Sequence, residues 1–508
     1  MIIGNVRLGH ATNSSSSHSI VIAKNKKDKE AIAGLKTNEA WDNEYGWEEF
    51  VLSSEKNKEA YLSYIVFDQL KREIGEEYAK IVMKELFSGF DGGGHIDHQS
   101  IFTLPIKPRS DSSWSGESRF CIDQQFLQDY RQYLKRNDIF ILGGNDNCDW
   151  ESEYVKTRGE LESSVYPLKW PMDSGVLTAR KHGDWWTLYN KGSGVKIDIS
   201  FEKKPKPRVK AEVPDLVDLK ITDYCPYGCK YCYQGSSSLG GHAIDMYHAI
   251  QELGKYGVFE VAIGGGEPTL SPRFFEELKN FYAAGVTPNF TTANKEWMKD
   301  KAAVEAVNKY CGSFAYSPRV ENGSGSEDLR VFIREYEYHV RDGRRWGCSP
   351  VVVHIVMGTV DKYVFEDMVK MAFDAGLGVT LLGFKETGRG KQFKKELKAL
   401  EDKRYMSSGR GMDYLEWLPA LLVAMEQDDE YARLSVDTLL AKELEKVMDL
   451  PKSMYYTKEG FKSMYLDIVD YKFGSSSYSD NMLEIVDGHD RNYSYFDLKE
   501  LFARVSEE

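Results

Sequence analysis

Three cysteines lie within eight residues of one another, in the segment Cys225-Pro-Tyr-Gly-Cys229-Lys-Tyr-Cys232. The remaining cysteines are scattered along the 508 residues, so the chain does not have the pattern of a disulfide-rich protein. Three thiolates from one loop can bind three irons of a four-iron cluster and leave the fourth iron open for a small molecule. The alternative is a tetrahedral zinc site, whose fourth ligand could be His242. The segment therefore predicts a metal centre of one of these two kinds.

The cysteine segment lies in a stretch where strand patterns alternate with helix patterns. We predict strands at 215–222, 258–263, 286–292, 313–317, 350–357 and 377–384, and helices near 242–256, 272–284, 295–309, 326–340, 362–375 and 391–401. Such an alternation predicts a parallel sheet with helices outside it. Ligands of such sheets bind at the carboxyl ends of the strands. The cysteines directly follow the first strand, so they are expected at that edge.

With the aromatic Tyr231 before its third cysteine, this pattern resembles the signature of the radical S-adenosylmethionine (radical SAM) superfamily. The second strand runs into Gly264-Gly265-Gly266-Glu267-Pro268, which resembles the GGEP segment that approaches the methionine amino group of the cofactor in that family. Glycine suits this position because it has no Cβ to block the approach. The resemblance covers roughly residues 215–390 and implies a partial (β/α)6 radical SAM barrel.

The resemblance also implies the cofactors and the activity. Cys225, Cys229 and Cys232 would each bind one iron of a [4Fe-4S] cluster, and S-adenosylmethionine would chelate the fourth iron. An electron from an external flavodoxin- or ferredoxin-like donor would cleave the cofactor to a 5′-deoxyadenosyl radical, which abstracts hydrogen from the substrate.

Further positions resemble the family at the ends of later strands. Thr292 would hold the methionine end of the cofactor. The turn departs from the family pattern, because Ala293 is inserted after this threonine. The alternative role of Thr292 is that of a helix cap. The resemblance further implies that Ser317 contacts the ribose of the cofactor and that Arg319 contacts its carboxylate. The backbone at Gly383 would contact the adenine. Lys385 is assigned a catalytic role facing the substrate.

The bulk composition limits the location and the partners. The net charge of -13 disfavours a broad surface for nucleic acid, because such binding rests on Lys and Arg meeting phosphates. We find no apolar run of about 20 residues, as a membrane helix needs, and no secretory signal at the N-terminus. The sequence therefore predicts a cytoplasmic protein without a membrane partner.

Four regions are expected along the chain: an α+β N-terminal domain of unknown role at 1–170, a β-hairpin and basic linker at 171–212, the barrel at 213–401, and a small α+β C-terminal cap at 402–508. A second polar or metal site is conceivable in the first region, at His95, Asp97, His98 and Asp146, with turn-forming loops as the simpler interpretation.

The segment 459–467 resembles the strand that opens a SPASM-like C-terminal extension in peptide-modifying relatives. Where ligand cysteines would follow, the chain has Ser475-Ser476-Ser477-Tyr478-Ser479, so we expect a cap without a second cluster. The leading hypothesis is a radical enzyme that acts on a peptide or protein side chain. The alternatives are modification of a nucleotide or nucleic acid, which a basic groove would favour, and a non-catalytic metal-binding module, which would contain zinc.

Overall fold

The computed structural model divides into two compact units, residues 1–208 and 209–508. The first unit includes most of the segment predicted as a hairpin and linker, and the second unit includes both the predicted barrel and the predicted cap. The described residues are 2–7, 16–23, 26, 30, 32, 44–45, 50–87, 90, 92, 95–96, 104–108, 120–145, 164–167, 177–320, 325–343, 351–401, 414–426, 434–450, 458–485 and 496–507.

The described residues of the first unit include short strands and the three helices named below. Its elements are β1 (Ile2–Arg7), β2 (Ser16–Ile22), β3 (Glu44–Tyr45), β4 (Phe50–Leu52), α1 (Glu55–Ile74), α2 (Glu76–Leu86), β5 (His95–Ile96), β6 (Ile106–Pro108), β7 (Phe120–Ile122), α3 (Gln124–Lys135), β8 (Ile139–Asn145), β9 (Ser164–Pro167), β10 (Leu177–His182), β11 (Trp185–Asn190) and β12 (Lys196–Ser200). Two four-stranded antiparallel sheets form, in the orders β1-β12-β11-β10 and β4-β8-β2-β9. The predicted hairpin is the antiparallel pair β11–β12.

The second unit contains β13 (Leu216–Thr222), α4 (Tyr247–Lys255), β14 (Glu260–Gly265), α5 (Phe274–Ala283), β15 (Thr287–Thr292), α6 (Lys301–Tyr310), β16 (Phe314–Tyr316), α7 (Gly325–His339), β17 (Val352–Val356), α8 (Lys362–Asp374), β18 (Gly378–Leu382), α9 (Gly388–Glu401), α10 (Tyr414–Glu426), β19 (Leu434–Val436), α11 (Thr438–Leu444), β20 (Ser463–Asp467), β21 (Lys472–Gly474), β22 (Leu483–Glu484) and α12 (Leu498–Arg504). Its strands form one ten-stranded sheet in the order β19-β18-β17-β16-β15-β14-β13-β20-β21-β22. The pairs from β19 to β20 are parallel, and β21 and β22 are antiparallel additions.

The six predicted strands and six predicted helices of this unit are all found, with bounds that differ by a few residues. In this unit β19 covers only Leu434–Val436, and the residues after it form α11. The strand ends at Val436 because Asp437 caps a helix, its side chain accepting a hydrogen bond from the Leu440 backbone N–H at 2.8 Å. A parallel sheet with helices is therefore observed, and its closure into a partial (β/α)6 barrel remains a prediction.

The two faces of this sheet differ in burial. Along β13 and β17 the odd-numbered positions, such as Leu219 and Val353, are buried with the apolar residues of the helices. The other face includes half-buried polar side chains on several strands, which we call the polar face: Asp218, Asn289, Thr291, His354 and Thr380. Because side chains alternate along a strand, one face of the sheet packs on the helices while the other presents polar groups.

Candidate functional site

The three cysteines lie on a loop that begins where β13 ends. The loop closes on its own backbone: the Cys225 N–H donates to the Ser237 carbonyl at 2.9 Å, and the Ser237 N–H donates to the Asp223 carbonyl at 3.1 Å. All three thiols are half-buried and free of disulfides. Burial raises the pKa of the Cys225 thiol, while the backbone of Tyr227 acts in the opposite direction. The loop thus presents three thiol ligands at the carboxyl edge of the sheet.

The glycine turn after β14 is hydrogen-bonded to the start of the cysteine loop. The Gly266 N–H donates to the Thr222 carbonyl at 2.6 Å, and the Glu267 N–H donates to the Tyr224 carbonyl at 2.8 Å. Gly265 has a φ of 119°, and a Cβ there would lie 2.2 Å from the Thr222 carbonyl oxygen. The close approach of two backbone segments therefore requires glycine at this position.

Gly264 differs from the two glycines that follow it. A Cβ at Gly266 would lie 2.2 Å from the Tyr224 carbonyl oxygen, whereas a Cβ at Gly264 would meet nothing within 4 Å. Gly264 is half-buried and borders open space beside the cysteine loop. This space and the half-buried thiols fit the two groups that the sequence implies, a cluster on the cysteines and a cofactor approaching the glycine turn.

The Glu267 carboxylate is fully engaged by its own chain. It accepts hydrogen bonds from the hydroxyls of Thr292 at 2.6 Å and Thr269 at 2.7 Å, and from the Ala293 N–H at 2.9 Å. Burial raises the pKa of Glu267, and these hydrogen bonds oppose the rise. Pro268, also expected at the cofactor, is buried in the short 3-10 turn that follows. The side chains of Glu267 and Thr292 therefore tie the glycine turn to the end of β15.

Ser317 and Arg319 follow β16, at the same edge. The Ser317 N–H donates to the Thr292 carbonyl at 2.9 Å. The Arg319 guanidinium lies 5.1 Å from the centre of the Tyr227 ring, on the cysteine loop, and 3.6 Å from Asp328. The structure thus brings Arg319 to the cysteine loop and joins Ser317 to the end of β15.

Lys385 follows β18 and lies between two aromatic rings. Its Nζ is 4.3 Å from the centre of the Tyr233 ring and 4.8 Å from that of Tyr478, and it donates to the Ser477 hydroxyl at 3.5 Å. The Tyr478 hydroxyl in turn donates to Glu459 at 2.9 Å. Lys385 therefore joins the cysteine loop to the strands near the C-terminus.

Sequence reasoning missed Arg389, which follows the sixth strand. Its guanidinium and backbone N–H donate to carbonyls of the cysteine loop. Nearby, the aromatic ring of Tyr231 lies 6.2 Å from that of Phe393 on the same helix. Gly383 faces α11 instead, where its N–H donates to Asp437 at 2.9 Å. No pattern in the sequence marks Arg389, because its partners are backbone carbonyls about 150 residues away.

Sequence reasoning also missed a buried ion-pair cluster at the end of β13. The Lys220 ammonium lies 2.8 Å from Asp223, 2.9 Å from Asp467 and 3.0 Å from Asp470. Desolvation alone would lower the pKa of Lys220, but these carboxylates raise it above its ordinary value. The cluster fastens β20 and the turn after it to β13.

The polar face carries two titratable groups with shifted pKa values. Burial raises the pKa of Asp218 to about 6, and the charge of Lys385 opposes the rise. Burial and the same Lys385 charge lower the pKa of His354 to about 4. At neutral pH the Asp218 carboxylate and the Lys385 ammonium are therefore charged, whereas the His354 imidazole is neutral.

His242, the candidate fourth ligand of a zinc site, has one of its two ring nitrogens engaged within the chain. The His242 ring nitrogen Nδ1 is hydrogen-bonded to the Thr222 hydroxyl at 2.9 Å. Within the described ranges, no three His, Cys, Asp or Glu side chains are grouped so as to hold a single metal ion. Of the second site hypothesised in the first unit, Asp97, His98 and Asp146 lie outside the described residues.

Comparison with known proteins agrees with the motifs. The family model for the Radical SAM superfamily matches residues 219–311, which include the cysteine loop and the glycine turn. No curated protein matches the chain. None of the helices in the described part of the chain has the length and apolar character needed to span a bilayer.

Several solved structures are similar at low identity. Streptococcus suis SuiB bound to precursor peptide SuiA has 12% sequence identity and a TM-score of 0.40, with 92% of this chain and 88% of that chain covered. A polyhistidine-tagged anSMEcpe with bound AdoMet has 14% identity and a TM-score of 0.35, with 53% of this chain and 73% of that chain covered. Likenesses this distant say nothing of the substrate of this chain.

Proposed function

Because the chain is a radical SAM superfamily enzyme, we propose that it uses one [4Fe-4S] cluster and S-adenosylmethionine to modify a peptide or protein side chain. Cys225, Cys229 and Cys232 hold the cluster. The observation that carries this proposal is the joining of the cysteine loop to the glycine turn. The Glu267 N–H, directly after the glycines, donates to the Tyr224 carbonyl on the loop at 2.8 Å. That contact puts the thiols and the open space beside Gly264 at one edge of the sheet.

When bound, the cluster and S-adenosylmethionine supply a 5′-deoxyadenosyl radical that abstracts hydrogen from the substrate. The chain's own residues bind and orient. Gly264 leaves room for the methionine end, Ser317 and Arg319 bind the ribose and carboxylate, and the backbone at Gly383 contacts the adenine. Lys385 faces the substrate. An external flavodoxin- or ferredoxin-like protein supplies the electron.

The charges near this edge favour a peptide over a nucleic acid. The ionisable side chains around the cysteine loop and the ends of β13 and β20 include five carboxylates, namely Asp218, Asp223, Glu459, Asp467 and Asp470. They face four cations, the ammonium groups of Lys220 and Lys385 and the guanidinium groups of Arg319 and Arg389, so the edge has no excess of positive charge. Phosphate backbones require a positive surface, so this balance opposes a polynucleotide. The strand that resembles the peptide-modifying extension, β20, is also paired with β13, beside the cysteine loop.

The first experiment is anaerobic reconstitution with iron and sulfide, followed by dithionite and S-adenosylmethionine. We expect about four irons per chain and formation of 5′-deoxyadenosine. The variant with Cys225, Cys229 and Cys232 all changed to Ala should lose both. Cys311→Ser is the matched control, because this buried cysteine lies outside the loop and should leave iron binding unchanged.

The opposite outcomes are equally clear. Uptake of zinc alone, without visible absorbance or cofactor cleavage, would mean a non-catalytic metal-binding module. Bound iron in the triple-Ala variant at the wild-type level would show that the cysteine loop is not the cluster site. Faster 5′-deoxyadenosine formation with an oligonucleotide than with peptides would refute the substrate class.

A further inference from the structure

We propose that Arg389 is a positioning residue that holds the cysteine loop in its cluster-binding shape and tunes the cluster with a fixed positive charge. The inference rests on the proposed function, since it takes the loop to be the cluster site. Arg389 is not itself a ligand, because a guanidinium donates hydrogen bonds and has no lone pair for iron.

One arginine side chain binds three carbonyls of the loop. Arg389 Nε donates to the Cys229 carbonyl at 2.9 Å, and Nη1 donates to those of Gly235 at 3.0 Å and Ser236 at 2.8 Å. The Arg389 backbone N–H adds a fourth bond, to the Cys232 carbonyl at 2.9 Å. We call these four hydrogen bonds the Arg389 clamp. Two of the four acceptor carbonyls belong to predicted iron ligands, Cys229 and Cys232, so the clamp holds the backbone that carries the thiols.

The neighbours of Arg389 are also built against the loop. The Thr387 hydroxyl donates to the Tyr233 carbonyl at 3.1 Å. Gly388 has a φ of 53°, and a Cβ there would lie 2.3 Å from the same carbonyl oxygen. This close approach of the two backbones requires glycine at position 388. It also fixes the backbone directly before Arg389 against the cysteine loop. The segment after β18 therefore closes on the loop through five hydrogen bonds, of which four come from Arg389.

Irregular loops lack the repeating hydrogen bonds of helices and strands, so their carbonyls need other donors. Hydrogen bonds from a charged donor are stronger than neutral ones, and the planar guanidinium reaches several acceptors in fixed directions. A lysine keeps the charge but presents one nitrogen, which cannot reproduce donation from both Nε and Nη1. The Arg-to-Lys change therefore separates the geometry of the clamp from its charge.

The charge has a second consequence. Arg389 is half-buried, and its guanidinium lies against the backbone of Cys229. Reduction by one electron adds one negative charge to a cluster, and the potentials of iron–sulfur clusters depend on local charge and hydrogen bonds. A fixed cation beside the loop favours the reduced state, so its removal should lower the midpoint potential.

The experiment compares Arg389→Lys and Arg389→Gln with the wild type. Hydrogen exchange of residues 225–241 is measured on the full chain before iron loading, and the midpoint potential is measured after reconstitution. Both variants should exchange about tenfold faster or more in this segment, as the loss of a charged hydrogen bond implies. The midpoint potential should fall in Arg389→Gln and fall less in Arg389→Lys. The matched controls are Arg334→Lys and Arg334→Gln, on the exposed side of α7.

Wild-type exchange at 225–241 in both Arg389 variants would overturn the positioning role. Equal potentials in the Lys and Gln variants would overturn the role of the charge. A chain that never takes up iron would refute the proposed function instead, and the exchange experiment would still report on the clamp. If Arg389→Gln does not fold, the exchange of Arg389→Lys decides the positioning role, with faster exchange supporting it and unchanged exchange refuting it.

Discussion

Two neighbouring glycines at the end of β14, Gly264 and Gly265, should respond differently to the same substitution. In Gly265→Ala the new methyl group would lie 2.2 Å from the Thr222 carbonyl oxygen, at a φ of 119° that L residues rarely adopt. In Gly264→Ala the methyl group would meet nothing within 4 Å. Gly265→Ala should therefore lower the stability of the fold. Gly264→Ala should leave the fold intact but place a methyl group in the space where the cofactor is proposed to bind.

The magnitudes follow from these distances. A strained backbone conformation of this kind costs about 1–3 kcal/mol, before the overlap with the carbonyl is relieved. At roughly 2–4 °C per kcal/mol for a domain of moderate size, Gly265→Ala should lower the melting temperature by several degrees. Gly264→Ala should melt like the wild type. Its affinity for S-adenosylmethionine should fall at least about tenfold, the equivalent of about 1.4 kcal/mol.

Thermal unfolding of the iron-free chain measures the first effect, and equilibrium binding of S-adenosylmethionine to the reconstituted chain measures the second. Wild-type affinity in Gly264→Ala would show that the cofactor does not approach this glycine. Wild-type stability in Gly265→Ala would show that the carbonyl of Thr222 is not held where the structure puts it.

Three further substitutions test the polar and charged side chains of the second unit. Lys220→Met should lower the free energy of unfolding by about 3–5 kcal/mol in a denaturant titration, because it leaves the buried Asp467 carboxylate without its cation. Asp470→Asn, at a side chain that is 51% exposed, should lower it by under about 1 kcal/mol. Equal losses in the two variants would contradict the buried ion pair between Lys220 and Asp467. Burial raises the pKa of Asp218 from 3.8 to about 6, so the folded chain holds a proton that the unfolded chain releases, and stability falls as the pH rises between those values. Asp218→Asn should therefore gain stability relative to the wild type at pH 8 compared with pH 4. The same stability difference at both pH values would contradict the raised pKa of this carboxylate.

The six strands and six helices expected in the second unit could be predicted because each carries its own signal. Strand and helix patterns of 5 to 15 residues are local, and the structure has them close to their expected bounds. In the first unit the sequence has one helical pattern from about Lys56 to Phe87, but the structure has two helices, α1 and α2. They are separated because Gly75 adopts a φ of 80° between them. A single glycine in a helical pattern is compatible with either outcome, so the sequence could not settle the break.

Contacts between distant parts of the chain could not be predicted in this way. The pairing of β20 with β13 joins Ser463 to Leu216, and the ion pair between Lys220 and Asp467 spans 247 residues. Either partner alone resembles an ordinary surface charge in the sequence. Their burial is a property of the folded sheet, since a charge enters the interior only where a partner meets it.

The difference between local signals and long-range contacts also explains why only part of the candidate site could be predicted from the sequence. The cysteines and glycines have residue types that chemistry demands, whereas the groups that hold them in place are ordinary. Glu267 links the end of β15 to the glycine turn, whose backbone binds the start of the cysteine loop, and Arg389 binds the far side of that loop from the end of β18. The carboxyl ends of four strands are thereby connected in one hydrogen-bonded network. Because a site works only when its reactive groups are held in place, residues such as Arg389 should matter nearly as much as the cysteines that the sequence reveals.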